Sequence, residues 1–130
     1  LPSRVIERLR EYVDTNLDAR IAVKAMSALA ELSLSYFAHC FRNSTGLTPH
    51  AFVMQRRLAR ARELIVTTDL SMADIALASG YTDQSHLTRR FHSGMGRTPA
   101  ACRLTHRRAR LAAVMASFEH TSAAGPGPRR

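Results

Sequence analysis

The chain has no tryptophan, two cysteines and an aromatic content of 6% in 130 residues. Any core must be filled by Leu, Ala, Ile, Val and a few Phe, which suits small helical cores. Cys40 and Cys102 are too few and too isolated to frame a disulfide scaffold, and they read as reduced cytosolic thiols. No run of about 18 apolar residues occurs, so no membrane-spanning helix is expected. There is no secretory signal pattern and no glycine-rich loop of the phosphate-cradling kind. Negative charge is scarce: 10 acidic residues stand against 19 basic ones.

What is present is arginine. The formal net charge is +9, the sequence pI is near 11.2, and Lys24 is the one lysine. Such an excess suits a polyanionic partner, and arginine forks suit phosphates and guanine edges. Hydrophobic residues make up 45%, enough for a packed core. The length fits one ordinary domain, or two small subdomains sharing a helix. The chain starts at Leu1 rather than Met, which reads as a fragment with sequence missing upstream.

Two stretches repeat each other. Phe41, Gly46, Thr48 and Pro49 recur fifty positions later as Phe91, Gly96, Thr98 and Pro99. Upstream, Met26, Ser27 and Ala30 recur as Ile75, Ala76 and Ser79, forty-nine positions later. One residue has therefore been added in the turn of the second copy. Each copy reads as helix, tight turn, helix, a unit that can place one helix in a DNA major groove.

The periodicity predicts seven helices and no strand. The first carries Val5, Ile6, Leu9, Tyr12 and Val13 at helical spacing. The second runs from about Val23 to Ala30, with Ala22 a poor cap. Ser33 caps a third helix, Leu34 to about Thr45, ended by Gly46. Thr48 and Pro49 start a fourth, about five turns long at ~3.6 residues each, which reaches about Thr68 and lies between the copies as a rod. Ser71 and Asp74 begin the fifth. The sixth is expected from about Asp83 to Ser93, with Thr82 as cap and Gly94 and Gly96 as terminators. Thr98 and Pro99 start the seventh, which carries Cys102, Leu104, Leu111 and Val114. The expected organisation is residues 1–70 as a first helix-turn-helix subdomain with the linker helix, 71–120 as the second, and 121–130 as a disordered tail.

On the third helix Phe37, Cys40, Phe41 and Ser44 share a face, and Phe37 and Phe41 should anchor the first core. The other face presents Ser35, Ala38, His39 and Arg42. On the sixth, Leu87 and Phe91 are the anchors, and Gln84, Ser85, Thr88, Arg89 and His92 are left free. Either polar face alone could be a solvated surface. Two at matching positions of a repeat in a basic protein point to recognition. Gln84 can bond an adenine edge twice and Arg89 a guanine edge twice, so the second helix should read bases more strictly than the first. Cys102 and His106 have a metal-compatible spacing, but two ligands are too few for a structural zinc site. No third group orients a Cys–His nucleophile. Neither an enzyme, a metal site nor a cofactor is expected. The alternative is a basic helical protein that binds DNA or RNA architecturally, without sequence preference.

The stretches Leu32-Ser33-Leu34-Ser35-Tyr36-Phe37, Phe41-Arg42, Gly46-Leu47-Thr48-Pro49 and Arg57-Leu58-Ala59-Arg60-Ala61 resemble the DNA-binding domain of the AraC/XylS family of bacterial transcription regulators. Ile75-Ala76, Gly80-Tyr81-Thr82-Asp83-Gln84-Ser85, Arg89-Arg90-Phe91 and Gly96-Arg97-Thr98-Pro99 match more closely. The resemblance covers about Val5 to Arg103. It implies an all-α fold of seven helices, with two helix-turn-helix subdomains joined by a long central linker helix. It implies sequence-specific binding of a double-stranded DNA operator, with recognition helices in successive major grooves. Base-reading positions fall on Ser35, Ala38 and His39, then on Gln84, Ser85, Thr88 and Arg89, with His86 nearby. Phosphate-contacting positions fall on Arg42, Arg56, Arg90 and Arg103. The resemblance also implies a missing N-terminal effector or dimerisation domain, contact with RNA polymerase, transcriptional activation, and a bacterial cytoplasmic location at the nucleoid. Three residues depart from the family pattern. Glu31 stands where the first turn often has Gly, His39 replaces a common Arg, and Cys102 replaces an aromatic.

Overall fold

The computed structural model describes residues 1–124. Seven helices and no strand occur among them: α1 Ser3–Thr15, α2 Val23–Leu29, α3 Leu34–Thr45, α4 Pro49–Thr67, α5 Met72–Ala78, α6 Gln84–Met95 and α7 Pro99–Ala124. The chain repeat is a repeat of structure. The short helices α2 and α5 are each seven residues long, and α3 and α6 are each twelve. The added residue falls in the turn before α6, where Tyr81 and Thr82 stand against the single Leu32 of the first copy.

Local chemistry sets these boundaries. The Ser33 and Ser71 hydroxyls accept from the Tyr36 and Asp74 N–H groups, and the Thr48 hydroxyl accepts from that of Ala51. Each satisfies a donor that a helix start leaves orphaned. Pro49 lies at the first position of α4, where its missing N–H costs nothing. Gly46 and Gly96, both at φ +80, end α3 and α6 in the left-handed conformation.

Two expectations about α6 are corrected. Its cap is Asp83, not Thr82: the Asp83 carboxylate accepts from the His86 N–H at 2.8 Å. Asp outranks Thr as a cap, and Thr82 is occupied with the His86 ring. Gly94 does not terminate the helix but lies inside it. A Cβ there would sit 2.3 Å from Leu58 Cδ2, so this glycine allows α6 to lie close on α4.

Two cores form, and α4 serves both. The first gathers Leu9, Val13, Leu17, Met26, Phe37, Phe41, Phe52 and Val53. Its centre is aromatic: Phe41 lies 5.5 Å from Phe37 and 5.3 Å, edge-on, from Phe52. The second gathers Ala61, Ile65, Ile75, Ala76, Tyr81, Leu87, Phe91 and Cys102. The change-over along α4 comes between Val53 and Ala61. Helix α4 has 19 residues and at ~1.5 Å each spans about 28 Å.

Helix α7 is longer than its packing requires. Cys102 is buried, whereas Leu104, Leu111 and Val114 are exposed, so the apolar spacing expected to seat this helix seats only its first turns. Thr121 to Ala124, expected as part of a disordered tail, continue the helix. Alanine favours helix most, and after Pro99 no glycine or proline occurs before Gly125 and Pro126. The rest of that tail lies outside the described residues.

Candidate nucleic-acid interface

Each helix-turn-helix unit holds its second helix by burying two side chains and leaving the rest outward. On α3, Phe37 and Phe41 are fully buried; on α6, Leu87 and Phe91 are. Burying a Phe side chain stabilises by roughly 1.5–3 kcal/mol, so each helix is fixed along one stripe. Ser35, His39 and Arg42 are exposed on α3, with Ala38 half-buried beside them. Gln84, Ser85, Arg89 and Arg90 are exposed on α6, with His86 and Thr88 half-buried.

Several of these side chains already have partners. His39 Nε2 lies 3.2 Å from Asn43 Nδ2, one turn on, which steadies the imidazole on the helix surface. The Thr88 hydroxyl donates to the Gln84 carbonyl at 2.9 Å, leaving its methyl and its lone pairs for an incoming group. His86 Nδ1 accepts from the Thr82 N–H at 3.2 Å and lies 2.8 Å from the Thr82 hydroxyl. Its ring meets Tyr81 edge-on at 5.2 Å. That acceptor role places the ring proton on Nε2. His86 thus braces the start of α6, and only its Nε2–H is left to donate outward.

The four arginines expected at phosphates divide into two pairs. Arg42 and Arg90 are exposed and make no ion pair or hydrogen bond among the described residues. Arg56 and Arg103 are given different roles. Arg56 forms a bidentate pair with Asp14, its Nε and Nη2 each donating at 2.8 Å, and so ties α1 to α4. The Asp14 bond holds the guanidinium still more firmly in its charged form. Arg103 donates from Nε to the Ile65 carbonyl at 3.0 Å, from Nη1 to Leu70 at 2.8 Å and from Nη2 to Thr68 at 3.1 Å. These carbonyls lie at and just beyond the end of α4, where helix geometry leaves acceptors without partners. Arg103 therefore pins α7 to the end of α4.

The distribution of acid sharpens the electrostatics. No Asp or Glu lies between Glu31 and Glu63, or between Asp83 and Glu119. Both outward helices and the chain that follows each are thus free of carboxylates. Along their own length neither helix repels a phosphate, and the nearest carboxylate in sequence to α6, Asp83, is engaged in capping its start. This signal was present in the sequence as two long acid-free intervals. The place of Tyr81 is not readable from the sequence. The residue is buried in the second core, and desolvation raises its phenol above the usual range, against the opposing pull of Arg57 and Arg90.

Known proteins share this arrangement. The family described as "Helix-turn-helix domain" matches residues 26–105. The transcriptional activator NphR of a Rhodococcus species is 38% identical over 104 residues, covering 79% of this chain and 31% of that protein. The probable transcriptional regulator LumQ of Photobacterium leiognathi is 30% identical over 99 residues, covering 72% of this chain and 40% of that protein. The chain thus spans about a third of the first of these relatives and two fifths of the second. Among solved structures, the DNA-binding domain of AdpA, in complex with a target DNA, superposes with a TM-score of 0.73 at 27% identity, covering 80% of this chain and 94% of that one. An AraC-type regulator from Chromobacterium violaceum, 20% identical, shares the fold at a TM-score of 0.74, covering 79% and 92%. A helix-turn-helix match over most of the chain, on a twice-repeated unit joined by one long helix, makes this chain a member of the AraC/XylS family.

Proposed function

We propose that the chain is the DNA-binding part of a bacterial transcription regulator and recognises a double-stranded operator by sequence. The observation that carries the reading is the pair of outward, acid-free helices α3 and α6, each fixed by two buried side chains in a repeated unit. The backbone likeness to a domain bound to target DNA supports it, since that arrangement admits a duplex. Arg42 and Arg90, with no internal partner among the described residues, would hold phosphates and set the register. Gln84, Ser85, Thr88 and Arg89 would read one major groove. Ser35, Ala38 and His39 would read the next, with fewer bidentate contacts. The action is equilibrium binding rather than catalysis.

The relatives' greater length supports a regulator with more sequence than this chain. An N-terminal domain that senses a small molecule or dimerises would complete the protein. Contact with RNA polymerase would turn binding into activation, in the cytoplasm at the nucleoid. No helix among the described residues is long and apolar enough to cross a membrane.

Competition tests the reading. A labelled duplex selected by the protein is displaced by unlabelled copies of itself, by random duplex and by RNA at matched concentrations. Specific binding requires the selected duplex to compete at least ~10³-fold better than random DNA. Equal competition by all three would instead establish a non-specific basic protein.

A further inference from the structure

We propose that Arg57 is a positioning residue that locks the angle between the two helix-turn-helix units, and so decides which spacing of operator boxes the protein accepts. The inference rests on the DNA-binding reading above. Arg57 stands in the middle of α4, at the change-over between the two cores. A bend there would swing α6 relative to α3.

Three parts of the chain meet at this point. Arg57 Nη2 donates to the Ala19 carbonyl at 3.1 Å, in the loop between α1 and α2. Gly80, at φ +88 in the turn between α5 and α6, lies against both. A Cβ on Gly80 would sit 2.1 Å from the Leu17 carbonyl oxygen and 2.5 Å from Arg57 Nε. A loop of the first unit, an arginine of the rod and a turn of the second therefore touch with no room for a methyl group. Tyr81, next in the chain, is buried.

The arginine is not the cheapest filler for this place. Its Nε is buried and has no hydrogen-bond partner, and an unsatisfied buried donor is costly. A methionine would span the same space without the orphan. What only a donor of this reach supplies is the bond to Ala19 beside the Gly80 turn. That bond resists bending at the centre of α4. It matters for recognition because one inserted base pair shifts the second box by about 3.4 Å along the duplex and about 35° around it.

The test measures binding to duplexes carrying both selected boxes at the preferred spacing and with one base pair inserted or removed. The proteins are the wild type, Arg57→Met and Arg57→Lys. The wild type is expected to lose about thirtyfold in affinity on a one-base-pair change, comparable to one mismatched pair. In Arg57→Met that penalty falls below about fivefold, while the base preference within each box is unchanged. Arg57→Lys, which keeps a donor, restores most of the penalty. In parallel, spin labels incorporated as non-natural amino acids at the exposed Ala28 and Ala100 report the distance between units without DNA. The distribution is narrow in the wild type and broad in Arg57→Met. An unchanged spacing penalty in Arg57→Met, or a uniform loss at every spacing, overturns the proposal. If Arg57→Met loses helical content, Arg57→Gln takes its place, and unfolding of both assigns Arg57 to the core and also overturns it. A wild type without base preference in either box defeats the DNA-reading proposal itself, a result distinct from any of these.

Discussion

Glu31 is the one non-glycine residue at positive φ among those described, at +57° in the first turn. The matching place in the second unit is Gly80, at +88°. A side chain in the left-handed region costs roughly 1–2 kcal/mol. Replacing it with glycine relieves that strain but frees the unfolded chain, which costs about 0.4–1 kcal/mol. Glu31→Gly should therefore stabilise the protein by about 0.5–1 kcal/mol, the difference between those two effects. In a chain of 130 residues this raises Tm by roughly 2–4 °C. Glu31 is exposed and makes no ion pair among the described residues, so its removal breaks nothing else. Thermal melting followed by circular dichroism measures the shift. Gly80→Ala is the contrast: strain is added, and the new Cβ meets a backbone carbonyl that cannot move aside. An unchanged or lowered Tm for Glu31→Gly would refute the strain argument.

Arg103→Ala should lower stability by about 2 kcal/mol or more, because three carbonyls lose a charged donor; Arg103→Lys, which lacks the fork, should recover little, and chemical denaturation measures both. Arg89→Ala should cost about 1–3 kcal/mol on the selected operator and relax one base position, with little change on random DNA; equal losses on both would remove Arg89 from base reading. Binding titrated against salt should give a slope of log K on log salt near −5 for about six phosphates neutralised, and a slope near zero would exclude phosphate-dominated binding.

Much of the fold was legible because short-range chemistry encodes it. Ser33, Gly46, Thr48 with Pro49, Ser71 and Gly96 each mark a helix end through a contact within three or four residues. The repeat supplied the architecture, since Phe41 and Phe91 return at the same place in each unit. The errors have physical sources. Thr82 and Asp83 are adjacent and both capable caps; Asp is the stronger, and the His86 ring holds Thr82 aside. Gly94 looked like a stop because the packing of Leu58 against it is invisible in the chain. The internal bonds of Arg56 and Arg103 are not readable from the chain because their partners lie 42 and 38 positions away. An arginine offers the same fork to a phosphate, a carboxylate or a helix end. Three-dimensional proximity chooses among them. For Arg42, Arg89 and Arg90, no such internal partner exists among the described residues, which keeps them available for DNA.

The proposed function requires two helices of one chain to read two adjacent major grooves. Selection of bound sites from a random duplex pool addresses it in one experiment. Two enriched boxes are expected with centres about ten base pairs apart, the box facing α6 more sharply defined than the box facing α3. A single enriched box, or a pool that stays random after repeated rounds, would contradict it.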